Sequence, residues 1–392
     1  MLRTLFPFIC ILPPLAYSLI SLACARRFFE KGRGTGDQGL VKDQLPIPTT
    51  QSPSITILKP VKGVDAGSYA NFASFCNQEY SGQVQILFAA ASADDPVIPV
   101  IRQLMAAHPG HDISLVVNPA IHGPNYKVSN LINAFPRASH PIIIICDSDI
   151  RVPPDYLASV TAHFNDPRVG LVTSLYRTSL VQNIATAVEA TGFTSEMIPN
   201  VLVALRLEGL SFALGASMAV RREALAAIGG FEALADYLAD DYQLGNKVHR
   251  AGWLIALDNC FVESMVRAEN LPSVLARQLR WARTMRVSRP GGYLASGITL
   301  PFPAALLAAF IAPTPPIALA AVGLLYAVRL RVATTFSRRF VRDNLLPRWL
   351  WLIPMRDMLA FCTWALSFLG NRVEWRGSRF ILRPGGKIEE VV

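Results

Sequence analysis

Ile142-Ile143-Ile144-Ile145-Cys146-Asp147-Ser148-Asp149 is the stretch from which the fold of this chain can be read. Four β-branched residues and a cysteine make a run too short for a helix and suited to a strand buried on both faces. Two carboxylates one residue apart follow directly, and Pro153-Pro154 then turns the chain. In an open α/β sheet, ligands bind outside the carboxyl ends of the strands. A pair of hard oxygen ligands placed there can hold Mg2+ or Mn2+ against a diphosphate. Aspartate is also common at strand-to-turn junctions, where its side chain bonds the local backbone. The rest of the chain has to separate these two meanings.

On either side of this stretch, strands and helices alternate. Strands are predicted over 54–58, 83–90, 112–118, 169–176 and 212–220, and helices over 70–76, 96–107, 128–135 and 241–250. Such βαβ alternation predicts an α/β fold with a mostly parallel sheet covered on both faces. GxxxxGK[ST] does not occur, so a P-loop is excluded.

The ends differ in character. The 392-residue chain is 52% hydrophobic with a net charge of +9, and most of the surplus charge sits near apolar segments. That placement suits anionic lipid, and no RNA-binding signature, zinc-finger spacing or long basic helix points to nucleic acid. Residues 5–25 are long enough to cross a bilayer, and Arg26, Arg27, Lys31 and Arg33 follow. The positive-inside rule therefore puts the downstream side in the cytoplasm. A second uncharged stretch, 293–328, is divided by Pro313, Pro315 and Pro316, which predicts two short crossings joined by a turn. Residues 345–368 are apolar but carry Arg348, Arg356 and Asp357, which fits either a third span or a helix in the interface. The expected organisation is an anchor over 1–27, a linker over 28–53, a cytosolic domain over 54–290, membrane segments over 291–370 and a cytosolic tail over 371–392. The six cysteines form no CxxC pair and read as buried thiols in a reducing compartment.

Four further groups carry chemistry or plain structure. Asp94-Asp95-Pro96 suits a helix N-terminus with proline at its first position, and also a contact to uracil or ribose. Lys127 and Asn130 precede or open a helix, where a lysine can neutralise phosphate or remain solvated. Asp240-Asp241 opens another helix, where the macrodipole favours acid and where a general base could also stand. Arg277-Gln278-Leu279-Arg280-Trp281-Ala282-Arg283 suits a membrane interface, and equally an arginine clamp on a diphosphate.

Taken in order, these groups resemble the ceramide glucosyltransferase family, glycosyltransferase family 21. The resemblance extends through 58–65, Asp94 to Pro96, 145–152, Gly170-Leu171-Val172, 215–218, Gly229-Gly230, Asp240-Asp241-Tyr242, 277–281 and 374–380. It implies a GT-A-type nucleotide-sugar-binding domain with transmembrane helices at both ends. Carried over by motif, Asp95 (or Asp94) contacts the nucleotide. Asp147 meets the nucleotide-sugar, and Asp147 with Asp149 holds Mg2+ or Mn2+. Asp241 is the general base. Arg277, Arg280 and Trp281 hold the diphosphate and line the acceptor site, while Lys127 and Asn130 are expected donor contacts by their own chemistry, a phosphate and a sugar or base edge.

Two departures from the animal enzymes bear on the substrate. Asp149 stands where they carry glycine, and Glu196 follows Thr194-Ser195 where they carry histidine. The stretch 238–245 is similar to the bacterial branch associated with hopanoid biosynthesis. The implied activity is inverting transfer of one sugar from a UDP-sugar, UDP-GlcNAc, to a hopanoid polyol such as bacteriohopanetetrol at the bacterial inner membrane. Ceramide glucosylation, a processive polysaccharide synthase and a membrane-anchored scaffold with a degenerate transferase fold stand as alternatives.

Overall fold

The computed structural model describes residues 2–31, 52–65, 67–178, 181–265, 270–343, 346–375 and 377–391. Most of the linker expected over 28–53 lies outside the described residues. From the N-terminus run α1 (Leu2–Arg26), β1 (Ile55–Pro60), α2 (Ser68–Ala73), β2 (Val84–Ala90), α3 (Ile98–Ala107), β3 (Asp112–Val117) and α4 (Tyr126–Ala134). Then come β4 (Ile142–Cys146), β5 (Ile150–Arg151), α5 (Tyr156–Ala162), β6 (Val169–Arg177), α6 (Ile184–Gly192) and α7 (Ile198–Glu208). They are followed by β7 (Ser217–Arg221), α8 (Arg222–Ala227), α9 (Asp240–Arg250), β8 (Leu254–Ser264) and α10 (Leu271–Ser288). The chain closes with α11 (Pro290–Ser296), α12 (Pro301–Ile311), α13 (Pro315–Thr335), α14 (Leu346–Trp349), α15 (Ile353–Ser367), β9 (Arg372–Trp375), β10 (Ser378–Leu382) and β11 (Ile388–Glu390).

The chain divides into two compact units, one from 41–180 and 208–267, the other from 1–40, 181–207 and 268–392. The first is built on an eight-stranded sheet in the order β3-β2-β1-β4-β7-β6-β8-β5. The ladders β1–β2, β1–β4, β2–β3 and β6–β8 are parallel, while β4–β7, β6–β7 and β5–β8 are antiparallel. Every residue of β4 is buried, as its uninterrupted apolar run predicts for a central strand. Ile142 to Ile145 register against Ile55 to Leu58 on one side, and Cys146 pairs with Ser217 on the other. Because β1, β2 and β4 are mutually parallel, the residues that follow Pro60, Ala90 and Cys146 emerge at one edge of the sheet.

The second unit is mainly helical. Segments Arg3–Glu30 and Pro315–Val341 are long and apolar enough to cross a membrane, and a pair of helices bent by 46°, Pro290–Thr299 and Pro301–Ile311, passes the same test when taken together. Ile11 of α1 packs among Ala305 and Ala308 of α12 and Ala321 and Leu325 of α13. Small residues let these helices approach closely. The turn expected at Pro313 falls between α12 and α13. Beyond α15, β9, β10 and β11 form an antiparallel three-stranded sheet.

Within the expected domain 54–290, residues 181–207 and 268–290 fall in the helical unit. There the buried acid Glu189 of α6 finds its partner on α10. The strand expected from Phe212 starts only at Ser217. The backbone of Phe212 and Ala213 lies so close to Gly245 of α9 that a Cβ there would come within 2.4 Å. A segment pressed onto a helix in this way does not pair as a strand. Residues 345–368 are not one helix, since a 3-10 turn at Leu350–Leu352 separates α14 from α15. Among the described residues all six cysteines are free thiols.

Candidate active site

Residues Asp147 to Asp149 form the turn that leaves β4. Beneath it lies Lys59, the fifth residue of β1, which is fully buried. Its ammonium donates to the main-chain carbonyl of Asp147 at 3.0 Å and stands 4.0 Å from the Phe75 ring centroid. Burial pulls the pKa of this lysine down, against the nearby Cys146, Asp147 and Asp149. A buried cation needs such a carbonyl and aromatic face as its solvation. Ser148 donates to Asp65 at 2.6 Å. Burial first, and then the charges of Asp147 and Asp65, hold the Asp149 carboxyl above its ordinary range.

Helix α4 brings the second component. Asn125 caps it, accepting from the Val128 N–H at 3.1 Å and donating to the Tyr237 carbonyl at 2.8 Å. Lys127 is thereby aimed between two acids, 2.8 Å from Asp147 Oδ1 and 3.1 Å from Asp240 Oδ2. Burial works against its charge, but Asp147 and Asp240 more than offset this and raise its pKa. Asn130 lies one turn further on and is buried.

The third component is the start of α9. Asp241 is half-buried, and its Oδ1 accepts from the N–H of Tyr242 at 2.7 Å. Burial, and next the charge of Asp240, raises its pKa to about 6, while Lys127 opposes the shift. A Cβ added at Gly215 would stand 2.9 Å from Asp241 Oδ2, so the bare glycine leaves the carboxylate its place. The sheet unit thus joins Asp147, Lys127 and Asp240 into one charged cluster with Asp241 beside it. Asp95 has a different setting. Its two oxygens accept from Gly63 N–H at 3.0 and 3.1 Å, and Oδ1 also accepts from Val97 N–H at 3.0 Å. It therefore ties the loop after β1 to the start of α3.

Among the described residues no group of three or more His, Cys, Asp or Glu side chains converges as a ready metal cage. Asp147 and Asp149 can supply two oxygen ligands. Such a pair suits Mg2+ or Mn2+, which takes its remaining ligands from water and phosphate oxygens. A divalent cation would offset the charges of Asp147 and Asp65 that, after burial, hold the Asp149 carboxyl up, so the donor set fits one.

Arg277, Arg280 and Trp281 lie on α10 in the helical unit. Arg277 Nε donates to Glu189 Oε1 at 2.8 Å, and Trp281 is partly exposed with its ring 6.4 Å from that of Phe193. Gln278, inside the motif, accepts from Arg356, which also donates to Glu196 at 2.7 Å.

Sequence patterns did not single out Lys59, Asp65, Gly215 or Glu189. The first three lie within the stretches of family resemblance, but only their tertiary contacts give them work. Glu189 sits in an apolar helix, and a charge there was the one available signal.

The chain matches the family model described as Glycosyl transferase family 21 over residues 6–388. It is 25% identical to ceramide glucosyltransferase 3 of Caenorhabditis elegans over 348 residues, covering 86% of this chain and 74% of that protein. It is 31% identical to ceramide glucosyltransferase 1 of the same organism over 198 residues, 50% of this chain and 42% of that one. Among solved structures, the mannosyltransferase PcManGT of Pyrobaculum calidifontis, in complex with GDP-Man and Mn2+, superimposes with a TM-score of 0.50 at 16% identity. That likeness covers 92% of this chain and 99% of the other, and it concerns the fold. With a GT-A-like sheet, helices apolar enough for a membrane and a family match along nearly its whole length, the chain belongs to glycosyl transferase family 21 and is a hexosyltransferase.

Proposed function

We propose that this protein transfers one sugar, with inversion, from UDP-GlcNAc to a hydroxyl of a hopanoid polyol such as bacteriohopanetetrol. The observation that carries the chemistry is the ammonium of Lys127, lodged between Asp147 and Asp240 at 2.8 and 3.1 Å. It ties the acids that follow β4 to those that open α9. Asp147 and Asp149 would hold Mg2+ or Mn2+, which when bound neutralises charge on the UDP diphosphate. Asp241, with its pKa near 6, is largely ionised at neutral pH and accepts the proton of the acceptor hydroxyl. Lys127 adds fixed positive charge beside the leaving group, a stabilisation that is strong because it needs no reorganisation. Asp95 and Asn130 are assigned to the nucleoside, and Arg280 and Trp281 to the diphosphate and the acceptor.

A lipid acceptor accounts for the apolar helices, since its head can react in water while its body stays in the bilayer. Arg339 pairs with Glu30 at 2.8 Å and Phe340 stacks on Phe29 at 5.4 Å, so the basic ends of α1 and α13 lie together. By the positive-inside rule this end faces the cytoplasm of a bacterial inner membrane. Glu196, where the animal enzymes carry histidine, and the stretch 238–245 support the hopanoid polyol over ceramide. Ceramide glucosylation from UDP-Glc is the second reading, favoured by the name of the relative that matches 86% of the chain. Membranes containing the protein, incubated with labelled UDP-GlcNAc or UDP-Glc and either lipid, decide by product mass. Transfer only to ceramide would overturn the hopanoid assignment, and a polymeric product would overturn both.

A further inference from the structure

Glu189 is 2% exposed in a helix whose other residues are apolar, small or threonine. Its carboxylate accepts twice from Arg277, from Nε at 2.8 Å and from Nη2 at 2.5 Å. A buried carboxylate requires a partner, and the planar guanidinium fork satisfies it in one orientation only. The same guanidinium stands 5.9 Å from the ring of Trp281, one turn further along α10. Trp281 in turn meets Phe193, one turn beyond Glu189. A third contact continues the match. Gln278 accepts from Arg356, and Arg356 donates to Glu196 in the π-helical turn Phe193–Met197 that follows α6. Gly192 makes room for it, since a Cβ there would come within 2.7 Å of Arg356 Nε. Residues 189, 193 and 196 share one helix face and engage 277, 281 and, through Arg356, 278.

We infer that Glu189 is a positioning residue for the transfer reaction: it holds Arg277 against Trp281, sets the rotation of α10, and so places Arg280 and Trp281. Arg277 acts through this pair and does not itself bind the donor diphosphate. This rests on the proposed roles of Arg280 and Trp281 in transfer.

The test uses the full chain in nanodiscs, with UDP affinity measured by calorimetry and transfer by product mass. Glu189→Gln, Arg277→Met and their combination should each lower kcat by a similar factor, on the order of tenfold, because all three remove one placement device. The Kd for UDP should stay within about twofold of the parent, and Glu189→Asp, which keeps the charge, should recover part of the lost kcat. Weakening of UDP binding on the order of tenfold by Arg277→Met, with Glu189→Gln unaffected, would overturn the inference, because Arg277 would then be a donor ligand. Multiplicative losses in the double variant would overturn it as well. If Glu189→Gln does not accumulate, Glu189→Asp takes its place in the double variant, with the same expected and refuting outcomes. Absence of lipid product from the parent chain counts against the proposed function alone, since UDP affinity needs no acceptor.

Discussion

Replacing Gly215 by alanine tests the placement of the general base directly. The added Cβ would stand 2.9 Å from Asp241 Oδ2, against about 3.4 Å for an ordinary contact, so one group must move by roughly 0.5 Å. It would also stand 3.3 Å from Cγ of Asp241, so the carboxyl group is crowded at both atoms, while Cβ at 3.4 Å is in ordinary contact. Asp241 opens α9, whose Gly245 is packed against the Phe212–Ala213 backbone, and the helix has little freedom to withdraw. The carboxylate therefore has to yield. Misplacement by about 1 Å costs about a hundredfold in rate, so half that distance implies a loss of roughly tenfold, or about 1.4 kcal/mol of barrier. Initial rates of sugar transfer, with UDP affinity measured in parallel, give the result. The expected outcome is a fall in kcat with UDP affinity unchanged. Full kcat in a folded Gly215→Ala protein would falsify the assignment of Asp241 as a base held beside Gly215.

Asp241→Asn should abolish transfer while leaving UDP-sugar binding largely intact, and undiminished turnover would remove Asp241 from the mechanism. Since the base must be ionised to accept a proton and its pKa stands near 6, kcat should fall as pH drops through 6, by about tenfold per unit below it. Lys127 lowers the Asp241 pKa, so Lys127→Met should move this acid limb to higher pH; an unmoved limb would assign it to another group. Chelation should stop transfer and Mn2+ or Mg2+ restore it. Asp149→Asn should raise the metal concentration needed for half-activity, and an unchanged requirement would exclude Asp149 as a ligand.

Much of the sheet unit was legible along the chain because its signals are local. A run of isoleucines marks a buried strand, and strands that alternate with amphipathic helices favour parallel pairing through crossovers, as β1 to β4 show. The long apolar ends announced helices suited to a membrane for the same reason, since length and hydrophobicity are properties of a segment. Asp147 and Asp149 stood out through their place at the end of such a strand. What could not be read were pairings between distant segments. Lys59 looks like an ordinary strand-end lysine until Phe75 and the Asp147 carbonyl close around it. Lys127 has two equally plain meanings in sequence, and only the approach of β4 and α9 to the cap of α4 makes it a bridge.

The helical unit shows the limit most clearly. Residues 181–207 and 268–290 lie between or beside stretches of the sheet unit in sequence, and nothing in their periodicity says which core they join. Tertiary structure decided it, because a buried Glu189 is stable only where an arginine meets it, and that arginine is Arg277. The chain by itself determined the central strands of the sheet unit, the apolar helices and the order of the acids, but not β8. Only folding determined which charges stand together, because an ion pair depends on distance in space and leaves no period in the sequence.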